Sequence, residues 1–289
     1  MKLVMPIPSR DFDPSEVAVS WRILCEAGHS MAFATPDGRR GTADPMMISG
    51  EGLDVWGWIP GLRKVRVFGL LLRAGREARA AYRRLERDEA FLHPRSYADL
   101  RSGDFDGLVL PGGHHAAGMR AYLESDILQR FVAEFFETEK PVAAICHGVV
   151  LAARSRSMRT GKSVLYGRKT TALTWQLERM GWQAGRILRF WEPNYYRTYV
   201  EGKDEPSGYC SVQAEVTRAL AGAGDFLDVP RSDPDYVRKT GGIMRDSDAD
   251  SRPAWVVRDG NYVSARWPGD VHSFGHTFAR VLAERPVSV

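Results

Sequence analysis

Segments with the apolar pattern of a strand alternate along the chain with segments that have the apolar periodicity of a helix. MKLVMPI (1–7) is an apolar run typical of a buried strand, and DPSEVAVSWRILCEAG (13–28) has the periodicity of a helix that ends at Gly28. HSMAFATPDG (29–38) predicts a second strand, stopped by proline and glycine. A strand, a helix and a strand in this order are typical of the opening of an α/β domain.

The alternation lapses between residues 50 and 98, where an aromatic turn precedes a long helical pattern that we interpret as an inserted cap. Apolar strands buried on both faces predict a mostly parallel sheet with helices on either side. Beyond the cap the pattern predicts strands in 104–113 and 141–146, helices in 119–139 and 147–155, a hairpin in 254–267 that turns at Asp259 and Gly260, and a closing helix in 270–285.

Composition excludes several classes of protein. No apolar run approaches the roughly 20 residues of a membrane-spanning helix, and the first residues lack the apolar segment of a secretion signal, so we expect a cytoplasmic protein. The three cysteines include no CxxC pair and predict free thiols rather than disulfides or a zinc site. The net charge of +4 requires no nucleic acid partner, and the basic stretch 63–87 predicts a solvated helix face rather than a membrane-binding one.

Cys146 stands where an apolar strand gives way to a helix of small residues, in PVAAICHGVVLAARS. Open α/β proteins place their sites at the carboxyl edge of the sheet, and a sharp turn there exposes a nucleophile, with Gly148 leaving room beside it. Helix N–H groups and the adjacent His147 are expected to lower the pKa of the thiol. An inert buried cysteine is the alternative, but the position beside His147 favours a nucleophile.

A glycine turn follows another buried strand in LVLPGGHH. The N–H group of Gly113 is predicted to converge with that of His147 on the oxygen of a bound carbonyl group and so to form an oxyanion hole. Gly112, His114 and His115 are the predicted residues of the substrate pocket. An ordinary loop that carries two surface histidines is the alternative.

Together these motifs resemble the PfpI family of class I glutamine amidotransferase-like proteins, which includes intracellular peptidases, the Parkinson-disease deglycase and glyoxalase III chaperones. The resemblance implies one domain over 1–289, a flavodoxin-like three-layer sandwich with a nucleophile elbow and an inserted helical cap. The segments 50–98 and 185–250 resemble the family least. The resemblance rests on DPSEVAVSWRILCEAGHSMAFATPDG, DFDGLVLPGGHH, AAICHG and TGKSVLYGRKTTALTWQLE.

The resemblance also assigns roles to two carboxylates. Glu16 matches the acid that donates a hydrogen bond to the sulfur, although Asp13, Pro14 and Glu16 equally fit a helix cap with its capping-box acid. Glu178 lies 32 residues after Cys146 (178 − 146), where the glyoxalase-like branch places the carboxylate that orients the histidine; a solvated helix charge is the alternative. A homodimer that uses no cofactor and no metal is implied as well.

These residues lead us to expect a cysteine enzyme, and the resemblance implies that it needs no cofactor and converts a 2-oxoaldehyde, such as methylglyoxal, into a 2-hydroxy acid, such as lactate. Cys146 adds to the aldehyde, Gly113 and His147 N–H groups hold the oxyanion, and the His147 ring moves the proton. Amide or peptide hydrolysis by the same residues is one alternative. A non-catalytic stress-response chaperone or a redox sensor is another, with Trp56, Trp58 and Phe68 as an apolar surface for clients.

Overall fold

A central seven-stranded sheet and a small two-stranded sheet make up the β-structure of residues 1–284, the part of the chain that this computed structural model describes. The strands are β1 (Lys2–Pro6), β2 (Arg10–Phe12), β3 (Ser30–Thr35), β4 (Thr42–Ala43), β5 (Arg95–Ser96), β6 (Gly107–Leu110), β7 (Val142–Ile145), β8 (Val256–Asp259) and β9 (Tyr262–Ala265). The central sheet has the order β5-β3-β1-β6-β7-β9-β8. Its neighbours are parallel except for the antiparallel hairpin of β8 and β9, which confirms the predicted sheet.

Helices cover both faces of this sheet. They are α1 (Pro14–Glu26), α2 (Pro45–Ser49), α3 (Phe68–Leu72), α4 (Arg76–Leu85), α5 (Glu89–Leu92), α6 (Ala116–Leu123), α7 (Asp126–Glu137), α8 (His147–Arg154), α9 (Trp175–Leu188), α10 (Val212–Ala219), α11 (Tyr236–Thr240) and α12 (Val271–Ala283). One layer contains α1, α4 and α12, and the other contains α6, α7 and α8. Every residue of β6 and β7 is buried between the layers, as expected of central strands in a flavodoxin-like fold.

Two predictions about the helices are corrected by the structure. The helix predicted over 119–139 is divided into α6 and α7, because the Ser125 hydroxyl caps the second helix by accepting the N–H group of Leu128 at 3.3 Å. The long helical pattern predicted inside 50–98 is a series of turns followed by three short helices, α3, α4 and α5. The pairing of β2 with β4, which the sequence pattern does not indicate, lies beside α6.

The part of the basic stretch that lies in α4 forms the solvated helix face that its pattern predicts, whereas Arg63, Lys64 and Arg66 precede α3 and are not helical. Helix α4 buries Ala78, Ala81, Tyr82 and Leu85 and exposes most of its arginines. Among residues 1–284, no helix combines the length and the apolar composition needed to cross a bilayer. Arg285, the last residue of the predicted closing helix, lies outside the described residues.

Candidate active site

Cys146 occupies the sharp turn between β7 and α8. Its φ of 56° and ψ of −124° lie in a region that residues with side chains rarely adopt. This strand, turn and helix form the predicted nucleophile elbow, which holds the side chain at the carboxyl edge of the sheet. The structure therefore places Cys146 where a nucleophile is expected.

Two glycines allow the turns around Cys146 to approach closely. A Cβ atom on Gly148 would lie 2.0 Å from the carbonyl oxygen of Leu110, so α8 can begin against β6 only if this residue has no side chain. A Cβ atom on Gly112 would lie 2.7 Å from the backbone nitrogen of His147. The glycine turn after β6 is thus held directly against the N-terminus of α8.

A chain of hydrogen bonds fixes the ring of His147. Its Nδ1 atom lies 3.5 Å from the Cys146 sulfur, and its Nε2 atom lies 3.0 Å from the hydroxyl oxygen of Thr198. The Thr198 hydroxyl has one proton, which it donates to the carbonyl oxygen of His114 at 2.8 Å. Its oxygen atom therefore accepts a hydrogen bond from the Nε2–H group of His147, and Nδ1 is left unprotonated and free to accept the proton of the thiol.

Glu16 lies beside the Cys146 thiol, but its Oε1 atom has no hydrogen-bond partner among the described residues, so the hydrogen bond to the sulfur that the resemblance implies stays a prediction. Oε2 of Glu16 accepts the N–H group of Gly112 at 2.7 Å. Burial raises the pKa of Glu16 well above its usual range, and the Asp13 carboxyl group adds to the rise, which favours the protonated form that a donor to the sulfur requires.

The capping-box role that the sequence left open for Glu16 is not the one observed. Asp13 does cap α1, since its side chain accepts the N–H groups of Ser15 at 2.7 Å and Glu16 at 3.1 Å, and Pro14 takes the first helical position. A capping-box acid would accept the backbone N–H group of Asp13. That group instead donates to the carbonyl oxygen of Gly112 at 3.0 Å, which leaves the Glu16 side chain to the site.

The depressed pKa predicted for Cys146 is wrong for this arrangement. The residue is 4% exposed, and burial raises the pKa of its thiol well above the usual range, although the N–H group of His147 opposes the rise. Burial also lowers the pKa of His147 to about 3. The thiol and the imidazole are therefore both neutral at rest, because the cost of burying either charge exceeds the benefit of the helix N-terminus.

Glu178 does not make the contact with His147 that was predicted for it. Its Oε1 atom lies 2.9 Å from Nε of Arg197, and its Oε2 atom accepts the N–H group of Val212 at 2.9 Å. Arg197 is 1% exposed and requires a buried carboxylate partner, and this requirement fixes where Glu178 points. Since Thr198 follows Arg197 directly, the ion pair anchors the segment that brings Thr198 to His147.

The two histidines of the glycine turn have different surroundings. His114 lies between the rings of Tyr195 and Tyr196, at centroid distances of 4.8 and 4.7 Å, and burial lowers its pKa to about 4. His115 points elsewhere, with Nδ1 3.0 Å from Asp11 and Nε2 3.0 Å from Glu192. The prediction of a pocket role is therefore corrected for His115, whose ring is held between two carboxylates.

A cavity of about 610 Å³ opens beside the sulfur. Gly113 lines it, which is compatible with the predicted oxyanion hole, whereas Gly112 lies behind the wall with its N–H group bound to Glu16. The polar side chains of the wall are Asp13, Glu16, His114, Cys146, Glu178, Tyr196 and Arg245. The apolar ones are Met47, Phe68, Leu71, Leu72, Leu173, Leu177, Met180, Ala184, Leu188, Ile243, Trp267 and Pro268.

Sequence reasoning missed Thr198, Tyr196 and Arg245. All three lie within 185–250, outside the motifs, and a threonine or tyrosine in NYYRTYV gives no signal of its own. Among the described residues, Glu77, Asp248 and His272 could hold a metal ion, but none of them lines the cavity.

Known proteins are similar to this chain over part of its sequence. General stress protein 18 of Bacillus subtilis is 38% identical over 79 residues, which are 27% of this chain and 40% of that protein. Protein DJ-1 homolog D of Arabidopsis thaliana is 42% identical over 77 residues, 27% of this chain and 17% of its own length. Protein/nucleic acid deglycase 2 of Escherichia coli is 38% identical over 82 residues, 27% of this chain and 40% of that protein. The matched stretches thus span less than half of each of these relatives.

Solved structures share the fold over nearly the whole chain. Rapid Encystment Protein 24 kDa of Francisella tularensis superposes with a TM-score of 0.59 at 13% identity, covering 97% of this chain and 98% of that one. Glyoxalase III of Candida albicans does so with a TM-score of 0.54 at 14% identity, covering 97% of each chain. The family model described as ThiJ/PfpI family-like matches residues 7–207, well over half of the sequence. The chain therefore belongs to the ThiJ/PfpI family-like proteins.

Proposed function

We propose that the chain is a cofactor-independent cysteine enzyme that converts a 2-oxoaldehyde into a 2-hydroxy acid, as a glyoxalase III does. The observation that carries the proposal is the contact of 3.5 Å between the Cys146 sulfur and the unprotonated Nδ1 atom of His147, beside a cavity that Gly113 lines. The similarity to a glyoxalase III and to a deglycase supports carbonyl chemistry.

The first step adds the neutral thiol to the aldehyde. The sulfur forms a bond to the aldehyde carbon while its proton passes to Nδ1 of His147 and then to the carbonyl oxygen, which gives a hemithioacetal. No net charge is created in this step. A thiol of raised pKa and an imidazole of lowered pKa therefore suit it, because neither group has to persist as a buried ion.

The next steps move hydrogen between adjacent carbons. Nδ1 of His147 removes the proton from the former aldehyde carbon to give an enediol, and the proton returns to the neighbouring carbon as the hydroxyl proton passes to the second oxygen. The first carbon is oxidised to a thioester and the second is reduced to an alcohol, so no external oxidant or reductant is needed. Water then cleaves the thioester to release the 2-hydroxy acid and the thiol.

The test is product analysis with methylglyoxal by nuclear magnetic resonance. We expect wild type and a Cys210→Ala control to form lactate without ammonia, and Cys146→Ala to form none. Ammonia from an amide panel, with no lactate from methylglyoxal, would instead support the hydrolase alternative, in which His147 protonates a departing amine.

A chaperone function is a second candidate because of the exposed apolar surface near the cap. Trp58 is 58% exposed and Leu71 is 78% exposed, which is unusual for such large side chains. Suppression of the aggregation of an unfolded client to the same extent by wild type and Cys146→Ala, with no turnover of any aldehyde, would favour this function.

A further inference from the structure

The apolar face of α9 begins in the core at Leu177 and continues along the wall of the cavity. Leu177, Met180, Gly181, Ala184 and Leu188 all line the cavity, and their spacing of three or four residues places them on one side of the helix. An apolar helix face normally buries itself against other side chains. Here it leaves room for an apolar group that the protein does not itself supply.

Half of the remaining apolar wall comes from the segments that least resemble the family. Phe68, Leu71 and Leu72 belong to 50–98, and Ile243 belongs to 185–250. Leu71 and Ile243 are 78% and 86% exposed and mark the mouth, whereas Cys146 is 4% exposed at the inner end. A ligand that reaches the sulfur must therefore extend along an apolar passage.

The inner end offers polar contacts for a small head group. Oε1 of Glu16 and Nε2 of His114 are buried and have no hydrogen-bond partner among the described residues, and both side chains line the cavity. Buried polar atoms without partners are costly, and a ligand that carries two oxygen atoms would satisfy them. The adjacent oxygen atoms of a 2-oxoaldehyde have this character.

The volume of the cavity limits the size of the apolar part of the ligand. Cavities of about 300 to 1,000 Å³ hold drug-sized ligands, and the 610 Å³ observed here falls in the middle of that range. Methylglyoxal has only a methyl group beyond its two carbonyl groups, so it would leave most of the apolar wall unfilled.

We propose that the cavity binds 2-oxoaldehydes whose substituent is a large apolar group, such as a long alkyl chain or an aryl ring, in preference to methylglyoxal. This inference rests on the proposed function, since it names the substrate class of the same site. The two oxygen atoms lie at Glu16 and His114, the aldehyde carbon at Cys146, and the apolar group along α9 toward Leu71.

The first experiment measures kcat/KM for 2-oxoaldehydes with unbranched chains of increasing length. Burial of each methylene group is expected to raise kcat/KM by about fourfold until the cavity is filled. A value that is constant or that falls with chain length would overturn the proposal and leave the proposed function standing.

A substitution that fills the cavity tests where the chain lies. We expect Ala184→Phe, and independently Met180→Trp, to lower the ratio of kcat/KM for the longest to the shortest substrate by at least about tenfold. Ile187→Phe is the matched control, because Ile187 lies on the same helix, is 70% exposed and does not line the cavity. Circular dichroism shows which variants are folded. If a folded Ala184→Phe or Met180→Trp protein kept the wild-type ratio of kcat/KM for the longest and shortest substrates, the placement of the alkyl chain along α9 would be overturned.

Binding of unreactive analogues separates this proposal from the proposed function. Long-chain 2-alkanones, titrated by calorimetry, should bind more tightly with each added methylene group even to Cys146→Ala. Such binding without turnover of any aldehyde would refute the proposed function and keep the apolar site. The absence of both binding and turnover would refute both.

Discussion

The hydroxyl oxygen of Thr198 lies 3.0 Å from Nε2 of His147, and it donates its own proton to the carbonyl oxygen of His114. This contact decides which nitrogen of His147 faces the sulfur. In many Cys-His sites a carboxylate fixes the imidazole and stabilises its charged form. A hydroxyl group fixes the tautomer without offering a negative charge, which agrees with a His147 ring that stays neutral.

Replacement of Thr198 by valine should disturb this tautomer. We expect Thr198→Val to lower kcat by about ten- to a hundredfold, since a general base in the wrong tautomer cannot accept the thiol proton. Thr198→Ser should retain most of the activity. Nitrogen-15 resonances of histidine report the tautomer of His147 independently of any substrate, and an unchanged tautomer in Thr198→Val would contradict the assigned network.

The raised pKa of Cys146 predicts the pH dependence of its alkylation. In a Cys25→Ser, Cys210→Ser background, the rate with iodoacetamide should rise about tenfold per pH unit up to about pH 9 without a plateau, because only the thiolate reacts. Intact-mass kinetics measure the rate. A plateau near neutral pH would show that the thiolate is stable at rest and would restore the depressed pKa expected from the sequence.

Glu16 should influence both the thiol and the fold. Glu16→Gln keeps an oxygen for the N–H group of Gly112 and a donor for the sulfur, so alkylation and stability should change little. Glu16→Leu removes both and should slow alkylation at a given pH, and loss of the Gly112 contact should lower the free energy of unfolding by about 1 to 3 kcal/mol. Denaturant unfolding and alkylation of the same samples test this. Equal behaviour of the two variants would exclude the hydrogen bond to sulfur.

Glu178 should make stability depend on pH. Burial raises the pKa of Glu178 to about 7 from the usual glutamate value of 4.5, so between these pH values the folded chain binds more protons than the unfolded chain. The contribution of Glu178 to folding stability is therefore fully present below about pH 4.5 and is lost as the pH rises toward about 7. The free energy of unfolding of wild type relative to Glu178→Gln should therefore fall by about 3 kcal/mol over this window. If the difference in unfolding free energy between wild type and Glu178→Gln grew with pH instead, the attraction between Arg197 and the Glu178 carboxylate would outweigh the effect of burial.

Gly148 should tolerate no side chain. Gly148→Ala places a carbon atom 2.0 Å from the Leu110 carbonyl oxygen, so α8 must move away from β6, at a cost of about 1 to 3 kcal/mol in unfolding free energy. Gly61→Ala is the control, because its Cβ atom would meet no other atom within 4 Å. Thermal unfolding distinguishes them, and equal stability of the two variants would contradict the close approach.

The parts of the site that follow regular elements could be predicted from the sequence. Cys146, His147 and Gly113 stand directly after buried strands, and their positions follow from the order of strands in a parallel sheet. Glu16 lies in the first turn of a well-capped helix, so its placement is almost as well determined, although its partner is not. Local patterns are sufficient where a regular element carries the residue.

The features of the site that could not be predicted depend on contacts between segments that are distant in sequence. Thr198 reaches His147 through an irregular stretch held by Arg197 and Glu178, and no local pattern indicates that ion pair. The pKa of Cys146 depends on how deeply other segments bury it, which spacing along the chain does not reveal. A helix N-terminus near a thiol is visible in the sequence, but the loss of hydration that outweighs it is not.

The positive φ angle of Cys146 has a consequence for engineering the protein. A side chain held in such a conformation costs on the order of 1 kcal/mol, and glycine would adopt the same angle without that cost. Selection of random variants for thermal stability alone should therefore enrich glycine at position 146 and discard the sulfur. Any stabilised scaffold built from this chain has to keep the strained residue deliberately and gain its stability at sites distant from the elbow.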